Sequence, residues 1–238
     1  MVNTFLPDGD FEKSAQYLDN ARLGKQRVEA MQLLHLLEDL EFLSKELNIA
    51  MPTELPKRTD KEDEWHVFIL NIKRTYQSLN YRYAKIKPTN MKISKLDTEL
   101  INKYSLTKDN YIKVPFDLMY KLKQAGSCIR IVNLGHCTHP LVKMWIGYND
   151  SLKYYINCCI KEWIKRGKEN NMFIYPLPEK FDRPPWTYNE KVHENHRAAL
   201  ITKEIDRKEK TWYINNPIFK SEIGKFIDYL WITGRENI

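Results

Sequence analysis

Arg22, Gln26 and Glu29 stand at i, i+4 and i+7 in the run RLGKQRVEA, with Asp19 one turn earlier and Lys25 beside them. On a helix these positions share a face, so a cation, an amide and a carboxylate meet there. Beside an apolar stripe such a row is, by default, a solvated face with an ion pair. A second cluster, His136-Cys137-Thr138-His139, offers donors that zinc accepts, yet no further Cys or His pair stands at finger spacing. The third, His193-Glu194-Asn195-His196, is one residue short of H-E-x-x-H, in which i, i+4 histidines face one ion. Glu190, His193 and Arg197 share a face there instead, better suited to a phosphate or a carboxylate than to zinc. G-x-x-x-x-G-K-[ST], G-x-G-x-x-G and G-x-S-x-G do not occur, which argues against P-loop hydrolysis, dinucleotide redox chemistry and serine hydrolysis.

These residues must be carried by helices. Between Phe11 and Leu47, leucines at 33, 34, 36, 37, 40, 43 and 47 recur at spacings of three and four, the period of an amphipathic helix. Asp8 or Asp10 caps its start. Gly24 interrupts the pattern, so one continuous helix and a short helix to about Ala21 followed by a longer one from about Leu23 fit equally. Leu141 to Gly167 predicts a second long helix with Trp145, Leu152, Tyr155, Ile156, Cys159, Ile160 and Trp163 as its stripe, stopped by Lys165-Arg166-Gly167. EKVHENHRAALITKEI predicts a third, after the Pro-rich YPLPEKFDRPPW; SCIRIVNL (127–134) is the best strand candidate.

From Trp65 to Leu96 there is no acidic residue. Lys73, Arg74, Arg82, Lys85, Lys87, Lys92 and Lys95 alternate there with Tyr76, Tyr81 and Tyr83. Cations with interleaved stacking surfaces hold single strands or opened duplexes; tyrosines turned inward with lysines snorkelling outward give the same pattern.

The whole chain has 238 residues, 42% hydrophobic and 12% aromatic, enough for one large domain with a real core. Eight glycines lean towards helices over turn-rich sandwiches. The net charge of +7 fits a polyanionic partner. Cys128, Cys137, Cys158 and Cys159 form no C-x-x-C pair, and with no signal-like start or 18-residue apolar run, a soluble, intracellular, reduced protein is expected, with no membrane partner.

Taken together, TFLP…SAQYLDNARLGKQRVEAMQLL (Thr4 to Leu34), THPLVKMWIGY with EWIKRG (138–148, 162–167) and PPW…HRAAL (184–200) resemble three blocks of the bacterial and viral pyrimidine-dimer DNA glycosylases, relatives of the phage endonuclease V enzymes. The resemblance covers about half the chain. It implies a mainly α fold, a compact helical domain over 1–238, in which about 48–135 looks like an inserted mixed or helical segment. It also implies a monomeric glycosylase and AP lyase on damaged double-stranded DNA, needing no cofactor or metal. In the phage-type enzymes the nucleophile is the α-amino group exposed by removal of the initiator Met, which here makes Val2 the candidate. An α-amine has a pKa of about 7.7–8.0, so a useful fraction is neutral at pH 7.

The same resemblance makes Arg22 and Arg27 the phosphate-holding pair, and with Lys25 and Gln26 they form the expected DNA-binding row. The phage enzymes place the catalytic Glu directly after the first arginine. Here that residue is Leu23, so the carboxylate must come from elsewhere: Glu29 first, Asp19 second. His193, His196 and Arg197 are expected on the DNA-facing surface, with Lys73, Arg74 and Arg82 as further DNA contacts. Trp186 and Trp212 are candidates for stacking on an extruded base or for core packing. Two other readings are kept: a non-catalytic nucleic-acid-binding module on this scaffold, and a metal-dependent nuclease using His136, His139, His193 and His196.

Overall fold

A computed structural model describes residues 4, 6–52, 64–90, 92–118, 128–207 and 211–230. Val2, the expected nucleophile, lies outside the described residues. The fold is mainly α, with one small sheet: α1 Phe11–Tyr17, α2 Asn20–Glu46, α3 Glu64–Ser78, β1 Tyr81–Ile86, α4 Lys95–Tyr104, β2 Ile112–Pro115, β3 Ile129–Ile131, α5 Pro140–Trp145, α6 Asn149–Lys165, a 3-10 turn Pro185–Tyr188, α7 Glu190–Arg207 and α8 Pro217–Lys220.

Two caps set the first corner. Asp10 accepts the Glu12 and Lys13 backbone N–H groups and starts α1; Asp19 accepts the Arg22 N–H at 2.9 Å and starts α2. The break therefore falls at Leu18-Asp19, earlier than Gly24. Gly24 sits within α2 because Trp163 lies against it: an added Cβ would stand 3.0 Å from the indole ring. Arg166 secures the corner by donating to the Ala15, Gln16 and Leu18 carbonyls at the C-terminal end of α1.

α2 is the central strut, packed chiefly along α6, with α1, α3 and α5 around the same core. Leu23, Leu33, Leu34, Leu37 and Leu40 of α2 meet Leu152, Tyr155, Ile156 and Cys159 of α6 in one buried cluster. The stretch expected to be one helix from Leu141 to Gly167 is two. Ile146 leaves α5 in an extended conformation (φ −58, ψ 132), and Gly147 follows at φ +79, a left-handed conformation that re-aims the chain into α6.

The sheet has order β2-β1-β3, all antiparallel. One side builds a second small core from Ala84, Ile86, Leu100, Val114 and Ile129. Tyr83, by contrast, joins the main core and packs edge-on against Phe42 at 4.8 Å. A buried ionic knot binds this part to α2. Arg130 donates to Asp39, to the His35 carbonyl, to Glu38 at 3.0 Å and to the Tyr111 hydroxyl, which in turn donates to Asp39. Burial pushes the Asp39 carboxyl up to about 6, against the pull of Arg130, the Asn133 N–H and Tyr111.

Candidate active site at the N-terminal segment

The chain just before α1 is threaded into the protein rather than laid over it. Thr4 is fully buried and its hydroxyl accepts the Trp145 indole N–H at 3.1 Å. Leu6, equally buried, donates its N–H to His196 Nδ1 at 3.0 Å, while its carbonyl lies 2.8 Å from His193 Nδ1. The other ring nitrogen of His193 is 2.9 Å from the Thr187 carbonyl. Arg197 donates to the Pro7 carbonyl at 2.8 Å and to Glu190, and Arg183 donates to the Gly9 carbonyl. Gly9 has no room for a side chain: a Cβ would stand 2.9 Å from the Thr187 carbonyl oxygen.

This places three of the expected DNA-facing residues. His193 and His196 are 1% and 0% exposed, Arg197 is buried with them, and all three grip the backbone of Leu6 and Pro7. Burial, and then the neighbouring His193, pushes His196 down to about 3, so its ring is neutral at pH 7. With Nδ1 accepting from Leu6, the proton is assigned to Nε2.

On α2, Gln26 and Glu29 turn inward. The Tyr155 hydroxyl of α6 donates to Gln26 Oε1 at 3.0 Å, and Gln26 Nε2 reaches Glu29 Oε2 at 3.5 Å. Lys25, largely exposed, pairs with the other Glu29 oxygen at 3.4 Å. Tyr155 also stacks on Trp145, the partner of Thr4, at 6.3 Å between ring centroids. One aromatic cluster therefore touches the N-terminal segment on one side and the Gln26–Glu29 pair on the other. Leu23 is fully buried in the core.

The remaining expectations separate. Asp19 is nearly buried as the α2 cap, and its own N–H donates to Tyr213 Oη at 3.2 Å. Arg22 is half-buried at the start of α2. Arg27 stacks its guanidinium 3.9 Å over Trp163 and donates to Asn170 at 3.2 Å; burial lowers its pKa. Lys73 is half-buried and Arg74 exposed on α3, whereas Arg82 is buried with its guanidinium on the Tyr76, Leu79 and Tyr81 carbonyls. Tyr76 and Tyr83 are core residues. Trp186 is core as well, donating to the Met144 carbonyl. Trp212 is 44% exposed, donates to the Tyr17 carbonyl and lines a 520 Å³ cleft with Asp19, Asn20, Thr211 and Asn215.

The four histidines of the metal-nuclease reading do not assemble. His139 caps α5 by accepting the Leu141 N–H, and His193 and His196 are taken up by Leu6. Among the described residues, no group of three or more His, Cys, Asp or Glu is arranged to hold a metal ion. The residues that sequence reasoning passed over are Thr4 and Tyr155. Tyr155 reads as one more apolar stripe position, because its partner Gln26 is 129 residues away.

Fold and site together define a mainly helical domain with a charged helix face close to a fixed N-terminal segment. A family model described as pyrimidine dimer DNA glycosylase matches residues 2–88 and 119–176, more than half the chain, and the chain belongs to that family. Its general function is accordingly that of a DNA-repair glycosylase, acting on DNA. The match includes α3 and β1 and leaves out 89–118, which carries α4 and β2, and the α7 region after 176. No curated protein and no solved structure matches the chain. Among the described residues, no helix is long and apolar enough to cross a membrane.

Proposed function

We propose that this protein excises pyrimidine dimers from double-stranded DNA and then cuts the strand as an AP lyase, with its N-terminal α-amine as nucleophile. The observation that carries the reading is the anchoring of Thr4, Leu6 and Pro7. An amine on residue 2 is tethered within a reach of about 7 Å of a buried, hydrogen-bonded residue, so its attack is directed rather than diffuse. The neutral amine adds to C1′ as the C1′–N bond breaks, and the base leaves with the electron pair and takes up a proton. Opening of the sugar ring gives a Schiff base. Loss of a C2′ proton then expels the 3′ phosphate oxygen, and water releases the amine. Glu29 is the carboxylate that assists the proton transfers and steadies the cationic imine. Asp19 ranks second, since its side chain is engaged as a cap. Arg22, Lys25 and Arg27 hold phosphates around the lesion.

Borohydride trapping on ultraviolet-irradiated duplex DNA tests this. A covalent adduct that N-terminal acetylation abolishes, with DNA binding retained, is the expected result; no adduct from protein with a free N-terminus overturns it. A non-catalytic DNA-binding module is the second reading, favoured by the buried Leu23 where the phage-type enzymes carry glutamate. Salt-sensitive binding without strand cleavage would establish it.

A further inference from the structure

The Tyr155–Gln26–Glu29 contacts give Glu29 an environment that neither α2 nor α6 provides alone. Gln26 is 1% exposed, and its amide has an acceptor end and a donor end. The Tyr155 hydroxyl donates to the oxygen at 3.0 Å, which leaves the NH2 end turned towards the Glu29 carboxylate at 3.5 Å. Reversing the amide would set oxygen against carboxylate oxygen, so the Glu29 carboxylate selects the orientation and the Tyr155 hydroxyl, donating to the oxygen end, holds it. Tyr155 is fully buried, which pushes its phenol well up and keeps it a donor; Cys159, Cys158 and Glu29 act in the same direction. Lys25 on its own helix and Tyr155 on the facing one are the titratable groups that reach the carboxylate's surroundings, with Cys159 beside Tyr155.

We infer that Tyr155 and Gln26 are positioning residues, a relay that orients the Glu29 carboxylate for the proton transfers of the lyase reaction. The inference rests on the proposed role of Glu29. Neither residue touches DNA in this scheme; both act through the carboxylate. Losing the Tyr155 hydroxyl frees the Gln26 amide to turn, which loosens the orientation of the Glu29 carboxylate.

The test compares strand cleavage and its dependence on DNA concentration for wild type, Tyr155→Phe, Gln26→Leu and Glu29→Gln, with urea midpoints as the control for folding. Tyr155→Phe removes one oxygen and leaves the ring packing. The relay predicts that both Tyr155→Phe and Gln26→Leu lower kcat roughly tenfold, with KM for DNA unchanged. Glu29→Gln loses at least as much. If Glu29→Gln cleaves as well as wild type, the catalytic role of Glu29 fails and the relay falls with it. If Glu29→Gln is inactive but Tyr155→Phe keeps the wild-type kcat, the relay alone is overturned.

Discussion

His196 accepts the backbone N–H of Leu6, two residues brought together across 190 positions of sequence. The last long helix thereby fixes the segment that leads to the N-terminus. The contact ties stability to the placement of the proposed nucleophile.

That contact has a pH signature. Burial holds His196 down to about 3, well below its value of about 6.5 in an unfolded chain. The unfolded state therefore binds the extra proton between these limits. The stabilisation from His196 is complete above about pH 6.5 and is lost as pH falls towards 3. Asp39, raised to about 6, contributes in the opposite sense, because there the folded state binds the proton more tightly. Comparing wild type with His196→Gln cancels the Asp39 contribution. The variant should be less stable by about 1–2 kcal/mol at pH 7, and urea denaturation should show that deficit shrinking as pH is lowered from 7 to 5.

Gly9→Ala should damage the site more than its size implies. The new Cβ would stand 2.9 Å from the Thr187 carbonyl, a backbone atom, and 3.3 Å from the His193 ring. The threaded segment has to shift, at a cost of about 1–3 kcal/mol. Schiff-base trapping should slow while DNA affinity, read by a gel-shift titration, stays within about twofold of wild type.

Arg27 differs from a free surface cation in being stacked on Trp163 and hydrogen-bonded to Asn170. If it clamps a phosphate, Arg27→Ala lowers the slope of log K against log salt by about 0.9. Arg27→Lys keeps the charge but loses the planar stack. It should keep the slope and still bind more weakly. Fluorescence anisotropy across a salt series separates the two effects.

The Arg130–Asp39 pair predicts a structural loss without a catalytic one. Arg130→Ala takes the guanidinium from Asp39, Glu38 and the Tyr111 hydroxyl and leaves Asp39 with Tyr111 and the Asn133 N–H as partners between α2 and the sheet. Removing one partner of a buried pair costs about 3–5 kcal/mol. Arg130→Met, which fills the space, should cost less. The trapping rate per folded molecule should remain that of wild type, with the folded fraction measured by circular dichroism.

Some of this was legible in the sequence because it depends on local spacing. The leucine period announced α2, Asp10 was one of the two named caps, and the basic stop at Lys165-Arg166-Gly167 closed α6 where expected. The RLGKQRVEA run and its companion blocks carried the family resemblance; the family match to 2–88 and 119–176 takes in the first two blocks and not the third at 184–200. The Gly147 break was misread as continuous helix, since an apolar period does not reveal a positive φ.

The tertiary structure decided which charged and aromatic groups face inward. A histidine, arginine or tyrosine has the same spacing on a helix whether it meets phosphate or a backbone carbonyl. His193, His196 and Arg197 lie against Leu6 and Pro7, Arg82 on three carbonyls, and Tyr155 on Gln26. Each of these polar groups is buried, and burial is affordable only with a partner at hydrogen-bond distance. For the grip on the N-terminal segment and for the Tyr155–Gln26 contact, those partners come from distant parts of the chain, so the site's inner framework exists only once the helices have packed. Sequence alone carried the family resemblance and put Arg22, Gln26 and Glu29 on one helix. Packing determined that Glu29 sits with Gln26 and Tyr155, and that the route to the amine is held by α7.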